Sequence, residues 1–184
     1  MILIVHGGQT GVDRGAHEAA LNNGWLIAGY MPRDGRDELG KIPEGVARFL
    51  APHDKPGLAA RTEANVRAAA AALIIVRDMN DPRVTPGTAK TIDLAATRRL
   101  PRLIVDPTTD TMQIAHWIWN SQRVFGTLFL PLMAPPGDSL GSIPTRLLVA
   151  GPRESKWPGA RAETTALLHR VADALTALPR AAKT

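Results

Sequence analysis

The sequence predicts an α/β fold: a Rossmann-like three-layer sandwich with a mainly parallel sheet and helices on both faces. Two observations carry this expectation. Short apolar, β-branched runs alternate with helix-like runs, the pattern of strands joined by crossover helices. Polar, glycine-containing motifs follow those apolar runs or open the helical ones, which is where a doubly wound sheet binds its ligands. A chain of 184 residues fits a single domain over 1–184 and is long enough to bury a substantial core.

The elements follow in order. Ile2 to Val5 is an apolar strand, and HGGQTG comes directly after it. Gly11 to Asn22 places Val12, Ala16, Ala19 and Ala20 on one helical face, and Asn23-Gly24 supplies the stop signal. Trp25 to Ala28 reads as a second strand. Residues 31–57 are rich in Pro, Gly and charge and are expected to be a long loop. Ala59 to Ala71 is a helix by alanine content, and Leu73 to Val76 is the next buried strand. A loop then leads to a helix over Thr88 to Arg98 and a strand over Arg102 to Val105. Residues 110–120 are helical, with Ile114, Trp117 and Ile118 spaced to face a core. Arg146 to Ala150 is a final strand, and Ala160 to Leu178 a final amphipathic helix. Residues 121–145 are the least regular, an excursion suited to packing or self-association.

Composition narrows the function. The net charge of +5 and pI near 10.2 attract anions, from phosphorylated small molecules to nucleic acid, although a solubilising surface explains them equally. Aromatic residues are only 4%, leaving few platforms on which single-stranded nucleic acid could stack. The chain has no cysteine, so neither a disulfide framework nor thiolate chemistry arises and a cytoplasmic location is expected. No signal peptide is apparent, and the apolar stretch from Val124 to Pro136 is too short and proline-rich to span a bilayer.

Four motifs are placed to bind a ligand. In HGGQTGVDRG, glycines after a strand would let backbone N–H groups approach an anion at a helix N-terminus. Gln9 and Thr10 add an amide and a hydroxyl, and Asp13 can cap the backbone or accept bonds from a ligand. The alternative is a tight turn with a capped helix. In RTEANVR, Arg61, Thr62 and Asn65 share a helical face suited to an anionic or heterocyclic group, while a solvated face with Glu63 and Arg67 paired is the plainer reading. In TPGTAKT, Gly87 permits unusual backbone geometry, and Thr88 or Thr91 can cap the helix while offering a hydroxyl to phosphate. In AGPRESKWPG, Arg153, Glu154 and Ser155 sit at a strand's carboxyl end, where Arg153 could clamp a phosphate; an exposed connection is the alternative. The five histidines show no metal-ligand spacing, no nucleophile elbow appears, and His6 reads as a core or loop residue. No catalytic residue and no metal ligand is assigned.

Together GGQTGVDRGAHEAA, MPRDGRDELGKIP, RTEANVRAAAAALII, PGTAKTIDLA and VAGPRESKWPG resemble the YpsA-related branch of the SLOG superfamily, which includes molybdenum carrier proteins. The resemblance runs from Met1 to about Pro107 and resumes from about Leu147. It implies a Rossmann-like fold and a nucleotide-like ligand, in the carriers the molybdenum cofactor, a phosphorylated pterin that is stored, protected or handed over. Carried over by motif, the ligand residues would be Gly7, Gly8, Gln9, Thr10, Gly11 and Asp13, then Arg33 to Lys41. Arg61, Thr62 and Asn65 would follow, with Gly87-Thr88 and the loop from Pro152 through Arg153 and Glu154 to Ser155. The expected partner is a small anionic ligand, with molybdoenzymes or cofactor-synthesis proteins receiving it, and with self-association into a homo-oligomer.

The chain departs from the family pattern in two places. Pro86-Gly87-Thr88 stands where a doubled glycine often precedes threonine, which stiffens that loop, and Asn120 to Thr145 is longer than the pattern. Related LOG-type phosphoribohydrolases carry a PGGxGTxxE signature with a catalytic glutamate. PGTAKTID has none there, leaving Glu63 or Glu154 as the carboxylates for that alternative. Single-strand DNA binding, by similarity to DprA, is a third reading, against which the low aromatic content argues.

Overall fold

The computed structural model describes residues 1–80, 85–121 and 145–178. In chain order the elements are β1 (Ile2–Val5), α1 (Val12–Asn22), β2 (Leu26–Ala28), β3 (Tyr30–Met31), β4 (Arg36–Asp37), β5 (Gly40–Lys41), α2 (Glu44–Ala47) and β6 (Ala51–Pro52). They continue with α3 (Leu58–Ala68), β7 (Ala71–Ile75), α4 (Pro86–Thr97), β8 (Arg102–Val105), a helix α5 over 111–121, β9 (Thr145–Ala150) and α6 (Ala160–Ala177). The irregular excursion expected over 121–145 lies, apart from its two ends, outside the described residues.

Alternation along the central strands sets the layers. On β7, Ala71, Leu73 and Ile75 point to one face, and Ala72 and Ile74 to the other, followed by Val76. All six are fully buried, as a strand covered on both sides requires. The first face packs against α1, α5 and α6 through Val12, Ala16, Ile114, Leu167 and Val171. The second packs against α3 and α4 through Val66, Ile92 and Ala95. The five long strands are all parallel, in the order β2-β1-β9-β7-β8. The Rossmann-like expectation holds.

Three boundaries differ from the sequence expectation, each for a physical reason. Ala71 was expected to end a helix, yet α3 stops at Ala68 and Ala69 is already extended at ψ 153°. Ala71 and Ala72 instead pair with Leu147 and Leu148 in the sheet, where burial between two helical layers overrides alanine's helix preference. Helix α4 begins two residues early, at Pro86, because Thr85 rather than Thr88 or Thr91 is the cap. Its hydroxyl accepts the Thr88 N–H at 3.1 Å, and proline suits the first turn. The expected long loop over 31–57 is organised. Strand β3 pairs with β6, β4 with β5, and Ile42, Val46 and Leu50 form a small core of their own. Asn65 ties this region down by accepting the Tyr30 N–H at 2.7 Å and donating to the Tyr30 carbonyl at 3.0 Å.

Leu73 fills the centre of the first core face and is 0% exposed. Leu73→Ala is expected to lower unfolding free energy by about 2–5 kcal/mol in a urea titration. A change within the ~0.5 kcal/mol typical of surface substitutions would contradict this layer assignment.

Candidate ligand-binding site

Strand order locates the cleft. Counted from β9 instead of β1, β2-β1-β9-β7-β8 becomes 3-2-1-4-5, the order of nucleotide-binding doubly wound sheets. Helices α1 and α6 share one face, and α3 and α4 share the other, so the winding reverses between β9 and β7. The loop leaving β9 flanks this reversal, and the loop leaving β1 touches it through bare backbone. Gly11, at φ 68°, leaves no room for a side chain, since a Cβ there would stand 2.6 Å from the Pro152 carbonyl oxygen. The next N–H, of Val12, donates to that same carbonyl at 3.2 Å.

The loop after β1 is built around Asp13. Its Oδ2 accepts the N–H groups of Gly7 and Gln9, each at 3.0 Å, and faces Arg61 Nη1 at 3.7 Å. Burial pushes the Asp13 carboxyl above the ordinary range, against the pull of the Arg61 charge and the two N–H bonds. Burial likewise lowers Arg61, which Asp13 opposes. The guanidinium lies directly under Gly7, where a Cβ would fall 1.6 Å from Nη1, so only glycine fits. The N–H of Gly8 donates to His6 Nδ1 at 3.0 Å, and that of Thr10 to Gln9 Oε1 at 3.0 Å. Four successive N–H groups, from Gly7 to Thr10, are thus engaged by the chain's own side chains.

Beyond this loop opens a cleft of about 620 Å³. Arg33, Arg36 and Arg153 bring guanidinium groups to it, and Asp34, Asp37 and Glu38 bring carboxylates. Pro32, Pro56 and Leu58 give it an apolar wall, and Gln9 forms part of its floor. The β4–β5 hairpin closes one side. Arg14 anchors that hairpin through Asp37 at 2.6 Å, with both side chains largely buried. At the hairpin's two-residue turn, Glu38 points inward and is only 10% exposed, whereas Leu39 beside it is 84% exposed. The Glu38 carboxylate accepts the hydroxyls of Thr10 and Ser155, and the Ser155 N–H at 3.1 Å, with Arg153 Nη1 at 3.6 Å. Burial acts upward on its pKa, but the Ser155 and Thr10 bonds and the Arg153 charge together hold it below the ordinary carboxylate value.

Behind the loop, His6 and His17 form a buried pair. Because His6 Nδ1 accepts the Gly8 N–H, the bonding assigns its proton to Nε2, which lies 3.2 Å from His17 Nδ1. Burial, then His17 and the cations Arg61 and Arg14, hold the His6 pKa down to about 3. Burial and Arg14 lower that of His17 as well.

The structure divides the sequence-derived residues into four sets. Gln9, Arg33 and Arg153 line the cleft, and Thr10 and Ser155 meet at Glu38 on its edge. Gly7, Gly8, Gly11, Asp13 and Arg61 shape the supporting loop. Asn65 and Glu154 are structural: the first holds Tyr30, and the second accepts the Gly159 and Arg161 N–H groups at the start of α6. Thr62 bonds the Leu58 carbonyl within its own helix, and Lys41, Gly87 and Thr88 do not line the cleft. Glu63 pairs with Arg67 and Arg98 on the surface. Arg36, Asp37 and Glu38 fall inside the expected ligand loop from Arg33 to Lys41, which gave none of the three a role of its own, and Arg14 lay outside every expected loop. The run RDGRDELG carried the signal, since its dense charge and Asp-Gly turn mark a hairpin beside the second strand.

Fold and cleft define the class: a Rossmann-like α/β protein whose strand-end loops enclose an open, charged cavity. The model of the circularly permutated YpsA SLOG family matches residues 4–126, and the chain belongs to that family. The permutation agrees with a sheet whose first strand in the doubly wound order, β9, comes last in the chain. Among solved structures, the crystal structure of the "Putative molybdenum carrier protein" from Syntrophus aciditrophicus SB is similar, with a TM-score of 0.73 and 25% identity. The similarity covers 93% of this chain and 94% of that one. No curated protein matches the chain.

Between about pH 3 and 6.5 the unfolded chain binds a proton at His6 that the folded protein does not. Stability from this ring is therefore complete above pH 6.5 and lost as pH falls toward 3. Urea midpoints measured across that window should fall with pH, and fall less steeply in His6→Asn. An unchanged slope in the variant would show that His6 titrates normally.

Proposed function

We propose that the protein binds a small phosphate-bearing ligand in this cleft and carries it without chemical change. The ligand in this reading is the molybdenum cofactor or a nucleotide-like molecule. The observation that carries the proposal is the convergence of Arg33, Arg36 and Arg153 on a cavity lined from the loops after β1 and β9, at the carboxyl end of the sheet. A volume of about 620 Å³ suits a cofactor-sized molecule. The donor set fits such a group: guanidiniums for phosphoryl oxygens, and the apolar wall of Pro32, Pro56 and Leu58 for a planar ring. Membership of the SLOG family and similarity to a protein bearing a molybdenum-carrier name support the same ligand class.

Any metal in this reading travels as part of the ligand. The chain has no cysteine, and the described residues contain no group of His, Asp and Glu suited to a metal ion. Storage, protection and transfer are the roles that follow, with molybdoenzymes or cofactor-synthesis proteins as recipients and self-association of the carrier as its assembly. No helix among the described residues is long and apolar enough to cross a membrane.

The phosphoribohydrolase alternative has no support from its candidate carboxylates. Glu63 is committed to surface arginines, and Glu154 to the start of α6, and neither lines the cleft. Single-strand DNA binding has none either, because among the described residues no aromatic side chain lines the cavity.

Titration calorimetry with a nucleoside monophosphate tests the reading. Arg153→Ala should weaken binding about tenfold or more, as expected for losing a charge-assisted bond, and Glu63→Gln should leave it unchanged. Equal affinity in wild type and Arg153→Ala would remove the site. Free base appearing on chromatography would make the protein a hydrolase instead.

A further inference from the structure

The donors gathered at Glu38 form an oxyanion cradle that the chain fills by itself. Two hydroxyls, one backbone N–H and one guanidinium surround a single carboxylate, and they come from the loops after both β1 and β9. Thr10 is held in position to donate, because its hydroxyl also accepts the Glu154 N–H at 3.2 Å. These groups sit at the carboxyl ends of β1 and of β9, the second of which flanks the reversal of winding near which a doubly wound sheet receives a phosphoryl group. By contrast the four N–H groups from Gly7 to Thr10 are already bound to side chains. The Thr10–Arg153–Ser155 cluster is also bound to the chain, but its occupant is a carboxylate on a hairpin turn rather than a group fixed inside the loop.

We propose that Glu38 is an intramolecular stand-in for the ligand's oxyanion, seated on Thr10, Arg153 and Ser155, and that a tetrahedral oxyanion displaces it and releases the β4–β5 hairpin. The idea builds on the cleft reading above and adds a competitor within the chain. Glu38 lies on a turn with an exposed neighbour, so it can swing out without disturbing the core. The Arg14–Asp37 pair at 2.6 Å remains as the hinge of that movement. The Glu38 backbone N–H, bonded to Gln9 Oε1 at 3.2 Å, couples the hairpin to the floor of the cleft. A seated carboxylate reduces the fraction of open sites, and apparent affinity falls by that fraction.

Calorimetric titration with inorganic phosphate and, separately, molybdate compares wild type with Glu38→Gln and Glu38→Ala. The two anions distinguish a phosphoryl group from a metal oxyanion as the natural occupant. Affinity for at least one should rise about tenfold or more in both variants, in proportion to the open fraction gained. A variant that binds no tighter than wild type makes Glu38 a structural latch and overturns the stand-in, while the cleft reading stands. Binding of neither anion to any of the three chains overturns the cradle and the stand-in together. Nucleoside monophosphate binding lost in Arg153→Ala is a separate result, which tests the cleft reading alone. Hydrogen exchange on the wild-type chain keeps the proposal testable should either variant fold poorly. Added phosphate or molybdate should speed exchange at residues 37–41 and leave β7 unchanged. Slower or unaltered exchange at the hairpin contradicts displacement.

Discussion

One buried carboxylate, that of Asp13, organises the end of the sheet at which the cleft opens. Taking a carboxylate and a guanidinium out of water is costly, and the cost is offset only where the remaining bonds are made. Asp13 meets this condition by accepting two loop N–H groups while facing Arg61. The arrangement also dictates sequence. Gly7 must lack a side chain so that the guanidinium can lie beneath it, and α3 must begin near enough to supply Arg61. Removing either charge would strand the other in a buried setting, which makes the pair a condition for the loop's shape.

That commitment moves the ligand-facing chemistry elsewhere. In many glycine loops the backbone N–H groups point at a phosphate. Here they point at Asp13, His6 and Gln9, and the groups that reach the cleft are side chains and the second loop's backbone. Gly11 lets the two loops touch, so Thr10 and Ser155 come within reach of one carboxylate. The inner ion pair, the loop contact and the hairpin are therefore one construction. Its inner half is buried, and the hairpin turn with Leu39 is its exposed edge.

Much of this was legible in the residues. Periodicity located the five long strands and the helices between them, because burial on one or both faces imprints a pattern on neighbouring positions. The clusters around Gly7, Arg61 and Arg153 come together at one end of the sheet. Local pattern failed at Ala71 and Ala72, where a helix-favouring residue serves a strand buried between two layers. It failed again over 31–57, where a local core of Ile42, Val46 and Leu50 forms and where the tie to the rest of the fold comes from Asn65, 35 positions from Tyr30. The expected ligand loop from Arg33 to Lys41 contained Glu38 but gave no sign of what it meets. Its partner Ser155 stands 117 positions away, and only the return of β9 beside β1 brings them together. Neither residue carries that relation in its own surroundings.

Oxyanion binding where the loops after β1 and β9 converge is tested most directly by a crystal structure of the protein grown with a phosphorylated ligand. Tetrahedral density is expected within hydrogen-bonding distance of Thr10 Oγ1, the Ser155 N–H and Arg153, with Glu38 swung away. A ligand bound elsewhere while Glu38 keeps its seat would contradict that binding.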